Sequence, residues 1–432
     1  MTEDNSPISV RYHGLDFMRA AMMLMGILLH VGVMYMAMPY GDDAAGIVAD
    51  ARDPYRDIEG YSMTAQRIAW AVHIFRMPAF MLLAGFFGAM MFQKRGAFSF
   101  LKNRFSRIVI PLVIFWILIW PVDRFAWGFG ANMILDQESN LTVWQNLGNA
   151  LSLRILPFVG DLAPHTMHLW FIYQLVYFYI ITFLLHSGLR KICPRVLEQV
   201  GSFVSSLGKS KAGWIFLPFA VVCTWLVLSG NSTFHFDVSF SWAPPWYIPL
   251  AYYQFFFFGW IGYHHLKVID FAKRNLPWLL PASVGLLALQ LYCVEATWSL
   301  GSLQADSSAL SEDFERMKNI TVWSQSCSVW VITLMFIGLC EKLIKRPHRA
   351  LTFLVGASYW LYLIHRPLCV AFAALFQRWA APGVLKYALV CTIVTVICLW
   401  SYQVIVRRSF VGVLLNGKRM PKLFLVPLDM QT

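Results

Sequence analysis

Ten apolar runs, each long enough to cross roughly 30 Å of hydrocarbon as a helix, recur along this 432-residue chain. They fall at 15–38, 66–92, 108–127, 167–186, 212–230, 246–266, 277–294, 320–340, 351–376 and 384–406. Hydrocarbon offers a backbone amide no partner, so runs of this length satisfy their own hydrogen bonds as helices. With 58% hydrophobic and 13% charged residues, and a mean hydropathy of +0.56, little chain remains for a soluble domain of ordinary size. The expected class is therefore all-α: a polytopic membrane protein with about ten transmembrane helices.

The charges between the runs alternate in sign. Lys94, Arg95, Lys102, Arg104 and Arg107 follow the second run, and basic groups also follow the fourth, sixth, eighth and tenth. The intervening loops hold the acids, Asp42 to Glu59, then Asp123, Asp136, Glu138 and Asp161, then Asp237, then Asp306 to Glu315. The basic faces are expected to be cytoplasmic, which places both termini inside. The expected organisation is a cytoplasmic tail over 1–14, a membrane domain over 15–406 and a cytoplasmic tail over 407–432. A net charge of +12 then reflects topology and anionic lipid, and no nucleic-acid partner is implied. Eight scattered cysteines without a C-x-x-C pair point to apolar packing, and no metal site is expected.

Inside the first run, past Asp16 at its edge, stand an arginine and a histidine, Arg19 and His30. Eleven residues are close to three turns, so both point from one helix face about 16 Å apart. Ionisable groups within a spanning helix are costly and are functional candidates for that reason. A guanidinium near one surface and an imidazole deep in the bilayer suit the two ends of a long, anionic, thioester-carrying molecule.

The sequence R-Y-H-G-L-D-F-M-R-A-A-M-M-L-M-G-I-L-L-H, ending at His30, resembles the opening of the membrane acyltransferase 3 family, where arginine, ten residues and histidine stand on the first span. The resemblance continues through I-F-R-M-P-A-F-M-L-L-A-G-F-F, R-F-S-R-I-V-I-P at 104–111, H-L-W-F at 168–171 and S-Y-W-L-Y-L-I-H-R-P-L at 358–368. H-x-F-R-M at 73–77 and the late H-R-P-L are most similar to the glucan biosynthesis protein C branch. That resemblance implies a multi-pass enzyme of the bacterial inner membrane that succinylates an osmoregulated periplasmic glucan. Its implied donor is acyl-coenzyme A, with succinyl-coenzyme A expected and no permanently bound cofactor. Its implied partners are the lipid bilayer, the donor, the glucan and other glucan-synthesis proteins.

Acyl transfer to a sugar hydroxyl needs a base for the proton and donors for the oxyanion. His30 is the expected base, either in direct transfer or as carrier of the acyl group. Arg19, Arg104 and Arg107 are the candidates for gripping donor phosphates, since guanidinium forks match phosphate oxygens. Arg104 and Arg107 could instead only obey the positive-inside rule, and Arg19 could pair with Asp16. His73, Arg76, His168, Trp170, Tyr173, His365 and Ser358 complete the expected acyl and acceptor pocket. Arg76 is the candidate to read a succinyl carboxylate, its alternative being a structural ion pair. His73 and His365 could equally serve as interhelical hydrogen bonds. Trp127, Trp144, Trp170, Tyr173, Tyr177, Trp242 and Trp246 could stack on sugars or form an aromatic belt. O-acetylation of another surface polysaccharide, and a transporter without chemistry, stay open as alternatives.

Overall fold

A helix lies at each of the ten apolar segments, as the self-satisfied backbone of a lipid-facing chain requires. The computed structural model describes residues 12–36, 60–135, 142–151, 165–192, 195, 213–230, 234–264, 267–302, 312–346 and 348–417. In chain order the elements are α1 (His13–Val33), α2 (Met63–Arg95), α3 (Ala97–Arg104), α4 (Ile110–Leu135), α5 (Val143–Leu151), α6 (Trp170–Ile192) and α7 (Gly213–Ser229). They continue as α8 (Tyr247–His264), α9 (Lys267–Arg274), α10 (Leu276–Ser302), α11 (Glu312–Leu343), α12 (Arg349–Leu375), α13 (Gly383–Ser401) and α14 (Phe410–Asn416). A π-helical turn joins α3 to α4 and a 3-10 turn, Met167–Leu169, leads into α6. No strand occurs among the described residues.

Seven helical segments among the described residues are long and apolar enough to cross a membrane: His13–Val33, Met63–Arg95, Ala97–Gly130, Met167–Gly188, Leu276–Gly301, Glu312–Leu343 and Gly383–Val406. This is a multi-pass membrane protein. The expected count of about ten is not reached on that criterion for clear reasons. α7 carries only the short apolar stretch Phe216–Ser229, α8 has just 18 residues and spends several of them on tyrosines, Gln254 and His264, and α12 contains His365 and Arg366, which it buries among its neighbours. The acidic loop residues at 42–59, together with Asp136, Glu138, Asp161, Asp306, Lys209, Lys211, Lys418, Arg419 and Lys422, lie outside the described residues.

Two boundaries differ from the expectation. The third run was expected to end at 127 and give way to the loop that holds Asp136, Glu138 and Asp161, with Asp123 counted among its acids, but α4 continues to Leu135 and α5 packs back on it. Phe125, Phe129 and Met133, four residues apart, present one apolar stripe that meets Ala374 of α12 and Leu147 of α5. Asp123, expected in that loop region, is instead fully buried in α4. Near the other end of the chain, α14 falls within the expected 407–432 tail, with Asn416 Nδ2 donating to the Gly356 carbonyl at 3.1 Å.

α1, α2 and α12 form the centre. α2 crosses α8 at Gly85 and Gly259, where a Cβ would stand 1.9 Å from Phe256 O and from Leu82 O respectively. Backbones therefore touch at this crossing, as small residues permit between membrane helices. Two prolines open this frame where it matters. Pro78 in α2 and Pro367 in α12 cannot donate to the carbonyls four residues back, Ile74 and Leu363. Gln325 Nε2 donates to Ile74 O at 2.9 Å, and His168 Nε2 stands 3.0 Å from Leu363 O. Each orphaned carbonyl thus recruits a polar side chain from another element into the core.

Candidate functional site

The helical period puts Arg19, Gly26 and His30 on one face of α1. At Gly26 the absence of a side chain leaves a notch, and two groups enter it. A Cβ there would lie 2.6 Å from Arg76 Nη2 and 3.2 Å from His365 Nε2. Arg76, from α2, is anchored by its Nε donating to the Met22 carbonyl at 2.8 Å. One turn above the notch, the His30 ring lies 5.1 Å from the His365 ring, centroid to centroid. His365 in turn meets His168 at 5.5 Å. Three imidazoles and a guanidinium from α1, α2, α12 and the 3-10 turn before α6 therefore meet.

The hydrogen bonds of these rings assign their protons. His168 Nε2 faces the Leu363 carbonyl, which only accepts, so Nε2 carries the hydrogen and Nδ1 is a bare acceptor. His365 Nδ1 lies 3.0 Å from Leu361 O and 2.9 Å from Tyr362 O, which makes Nδ1 the donor and Nε2 the bare acceptor. Both bare nitrogens, His168 Nδ1 and His365 Nε2, are buried without a hydrogen-bond partner. Such groups are costly and mark places where a ligand or a moving proton is met. His30 differs: it is half-buried, and among the described residues neither of its ring nitrogens is held by a hydrogen bond. Tyr362 ties the turn down by donating its hydroxyl to the His168 carbonyl. Met167, beside it, takes φ 52, a left-handed conformation uncommon for a side chain of this size.

The family model for an acyltransferase domain, acyltransferase 3, matches residues 12–403 and so contains every one of these groups. The chain belongs to the acyltransferase 3 family. Among curated relatives, glucans biosynthesis protein C of Escherichia coli O157:H7 is 22% identical over 435 residues, 95% of this chain and 96% of the relative. The protein of the same name from Escherichia coli O139:H28 (strain E24377A / ETEC) is 21% identical, again over 95% and 96%. No solved structure matches the chain.

In this acyltransferase His73 does not join the other three histidines. It turns toward the segment after α7, with Nε2 3.1 Å from Phe236 O and its ring 5.6 Å from the His235 ring. His235 Nδ1 lies 3.4 Å from Asp237 Oδ1, and Trp70 packs on both imidazoles. His73 and Arg76 are three residues apart on α2, yet they serve two different clusters. Ser358 is engaged within α12, donating to Val355 O at 2.8 Å. Trp170 packs against Tyr252, and the Tyr173 hydroxyl donates to Trp242 O at 2.7 Å. Trp144 and Trp246 stand exposed, as belt residues do.

At the opposite end of α1 the arginines have protein partners. Arg19 Nη2 is 3.4 Å from Asp16 Oδ1, with its guanidinium 5.4 Å from the Phe87 ring centre. Arg104 donates to Tyr179 Oη at 3.3 Å and to Met91 Sδ at 2.7 Å. Phe87 and Met91 are four residues apart on α2, so Arg19 and Arg104 border the same stripe. Arg107 Nη1 donates to Val413 O at 2.5 Å and to Leu414 O at 3.0 Å, holding the C-terminal end of α14.

Sequence reasoning missed a pair that supports the site. Arg366, the residue after His365, makes a two-pronged ion pair with Asp123 of α4 at 3.2 and 3.1 Å. Its guanidinium also lies between Trp127 and Phe240, 5.2 and 5.3 Å from their ring centres. A signal existed. Asp123 and Arg124 stand inside the apolar run 108–127, and Arg366 belongs to the quoted H-R-P-L.

Proposed function

We propose that this acyltransferase moves a succinyl group from cytoplasmic acyl-coenzyme A to a hydroxyl of a periplasmic glucan in the bacterial inner membrane. The observation that supports the reading best is His30. It is the half-buried member of the histidine group, neither of its ring nitrogens is held by a hydrogen bond among the described residues, and Arg76 is close by. A neutral imidazole takes the proton of the acceptor hydroxyl, whose oxygen attacks the thioester carbonyl. The C–S bond breaks, the sulfur leaves as coenzyme A thiolate and takes up that proton. Arg76 meets the distal carboxylate of the succinyl group, where a fixed positive group in a poorly hydrated site acts strongly.

The donor enters from the arginine end of α1. Arg19 and Arg104, with the N–H groups of Arg107 not bound to α14, grip its phosphates, while the extended pantetheine arm spans the roughly 16 Å to His30. This reading takes all ten helical segments as spans, with 1–14 and 407–432 cytoplasmic and the membrane domain between them. A reporter after Lys209 then reads cytoplasmic and one near Asp306 periplasmic. That the distant relatives are glucans biosynthesis proteins supports a glucan as acceptor.

The test is purified, lipid-reconstituted protein given labelled succinyl- or acetyl-coenzyme A with a glucan acceptor. Transfer from the succinyl donor is expected. Transfer from acetyl-coenzyme A alone moves the protein to O-acetylation of a surface glycan, and the absence of transfer from either overturns the reading.

A further inference from the structure

We infer that His365 is the positioning residue for His30: its bare Nε2 accepts a ring N–H of His30 during turnover, presenting the other His30 nitrogen to the acceptor hydroxyl. The inference rests on the reading of His30 as base. Three independent observations carry it. The first is the proton assignment: two carbonyls, Leu361 O and Tyr362 O, hold His365 Nδ1 as a donor, so Nε2 has a lone pair and nothing else. The second is burial, since this nitrogen is sealed from solvent with no partner among the described residues, while His365 itself is 1% exposed. The third is distance. Two imidazoles joined by an N–H···N bond have centroids about 5.2 Å apart, from a separation of about 2.9 Å between nitrogens plus two ring radii; His30 and His365 stand at 5.1 Å.

The neighbours determine who donates. Arg76 Nη2 shares the Gly26 notch with His365 Nε2, yet no hydrogen bond joins them, for Nε2 has no partner among the described residues while Arg76 is held at Met22 O through its Nε. Arg366 is engaged with Asp123, and His168 uses its N–H on Leu363 O. His30 therefore holds the available imidazole N–H at this spot. Catalytic hydrogen bonds often tighten only when substrate binds, and a turn of the half-buried His30 ring closes this one. The contact selects one tautomer of the base, as a hydrogen-bonded partner on the second ring nitrogen does. It also lets the cation formed on His30 share its proton with a ring whose own N–H faces two carbonyls.

The test compares two variants of the full chain in lipid. His365→Phe keeps ring volume and removes the acceptor, and His365→Gln offers an amide oxygen in place of Nε2. We expect His365→Phe to lower kcat about 100-fold with donor KM changed less than about twofold, and His365→Gln to retain kcat within about tenfold. Solid-state 15N spectra of labelled histidine should show His30 in one tautomer in the wild type and in His365→Gln, and in a mixture in His365→Phe. Equal losses in both variants with an unchanged His30 tautomer overturn the inference, as does full activity of His365→Phe. If His365→Phe does not fold, a mixed His30 tautomer in the wild type overturns it alone. An inactive His30→Ala beside an active His365→Phe sinks only the inference, whereas an active His30→Ala sinks the reading of His30 as base.

Discussion

The two ends of α1 carry the same kind of residue and use it in opposite ways. Around Gly26 and His30 the polar atoms converge from four elements and leave bare nitrogens, on His168 and His365, facing inward. Around Arg19, by contrast, each guanidinium leans on protein, Arg19 on Asp16 and Phe87, Arg104 on Met91 and Tyr179, and Arg107 on the carbonyls of α14, with Arg104 Nε the buried atom that finds no partner among the described residues. Unmet hydrogen-bonding capacity buried in a membrane protein is expensive, so it survives where chemistry uses it. The unmet atoms at the first end belong to imidazoles, which can move a proton, whereas a guanidinium can only hold an anion. The comparison therefore makes the first end the place to test for chemistry and the second the place to test for holding.

The strongest way to break that contrast is His30→Ala. Turnover should fall about 100-fold to 10,000-fold, the range of a lost general base, while the protein still inserts and melts normally. Near-normal transfer in this variant would leave the bare nitrogens without a role. Next comes the support of the histidine end. Asp123→Ala leaves Arg366 charged, buried and unpaired, and breaking such a pair costs about 3–5 kcal/mol. Thermal or denaturant unfolding in detergent should register it, and Asp123→Leu combined with Arg366→Met should recover most of the loss.

Arg76→Gln sharpens the comparison within the first end. If Arg76 meets a succinyl carboxylate, the substitution removes about 2–5 kcal/mol of transition-state binding with succinyl-coenzyme A and much less with acetyl-coenzyme A. Equal effects on both donors would make it a common support instead. At the second end the effects are smaller and separable. Arg107→Ala should cost about 1.5–3 kcal/mol of stability, as loss of a charged hydrogen-bond donor does. The Arg19–Asp16 pair is a third exposed on the arginine side. Arg19→Ala should therefore shift stability by less than about 1 kcal/mol and act through donor KM. A large stability loss with unchanged KM would return Arg19 to a structural role.

Much of this architecture is local and is legible in the residues themselves. Apolar length sets where helices form, and the 3.6-residue period places Arg19 and His30 on one face of α1 before any neighbour is known. The prolines are equally local. Pro78 and Pro367 must each orphan the carbonyl four residues earlier, which says that polar partners will come, though not which ones. Asp123, near the end of the third run, reads locally as a loop acid, and nothing in its own stretch of sequence names Arg366 as its partner.

Only the tertiary structure decided the meetings. His168 and His365 are 197 positions apart, yet they share a contact, while His73, three residues from Arg76, turns away to His235. Asp123 and Arg366 pair across 243 positions. Helical periodicity fixes the direction of a side chain from its own axis and says nothing about which helix stands in that direction. That choice depends on backbone approach at small residues, as at Gly85 and Gly259, on the side-chain notch at Gly26, and on which orphaned carbonyl draws which donor. Both are properties of packed pairs, and neither exists until the helices have met.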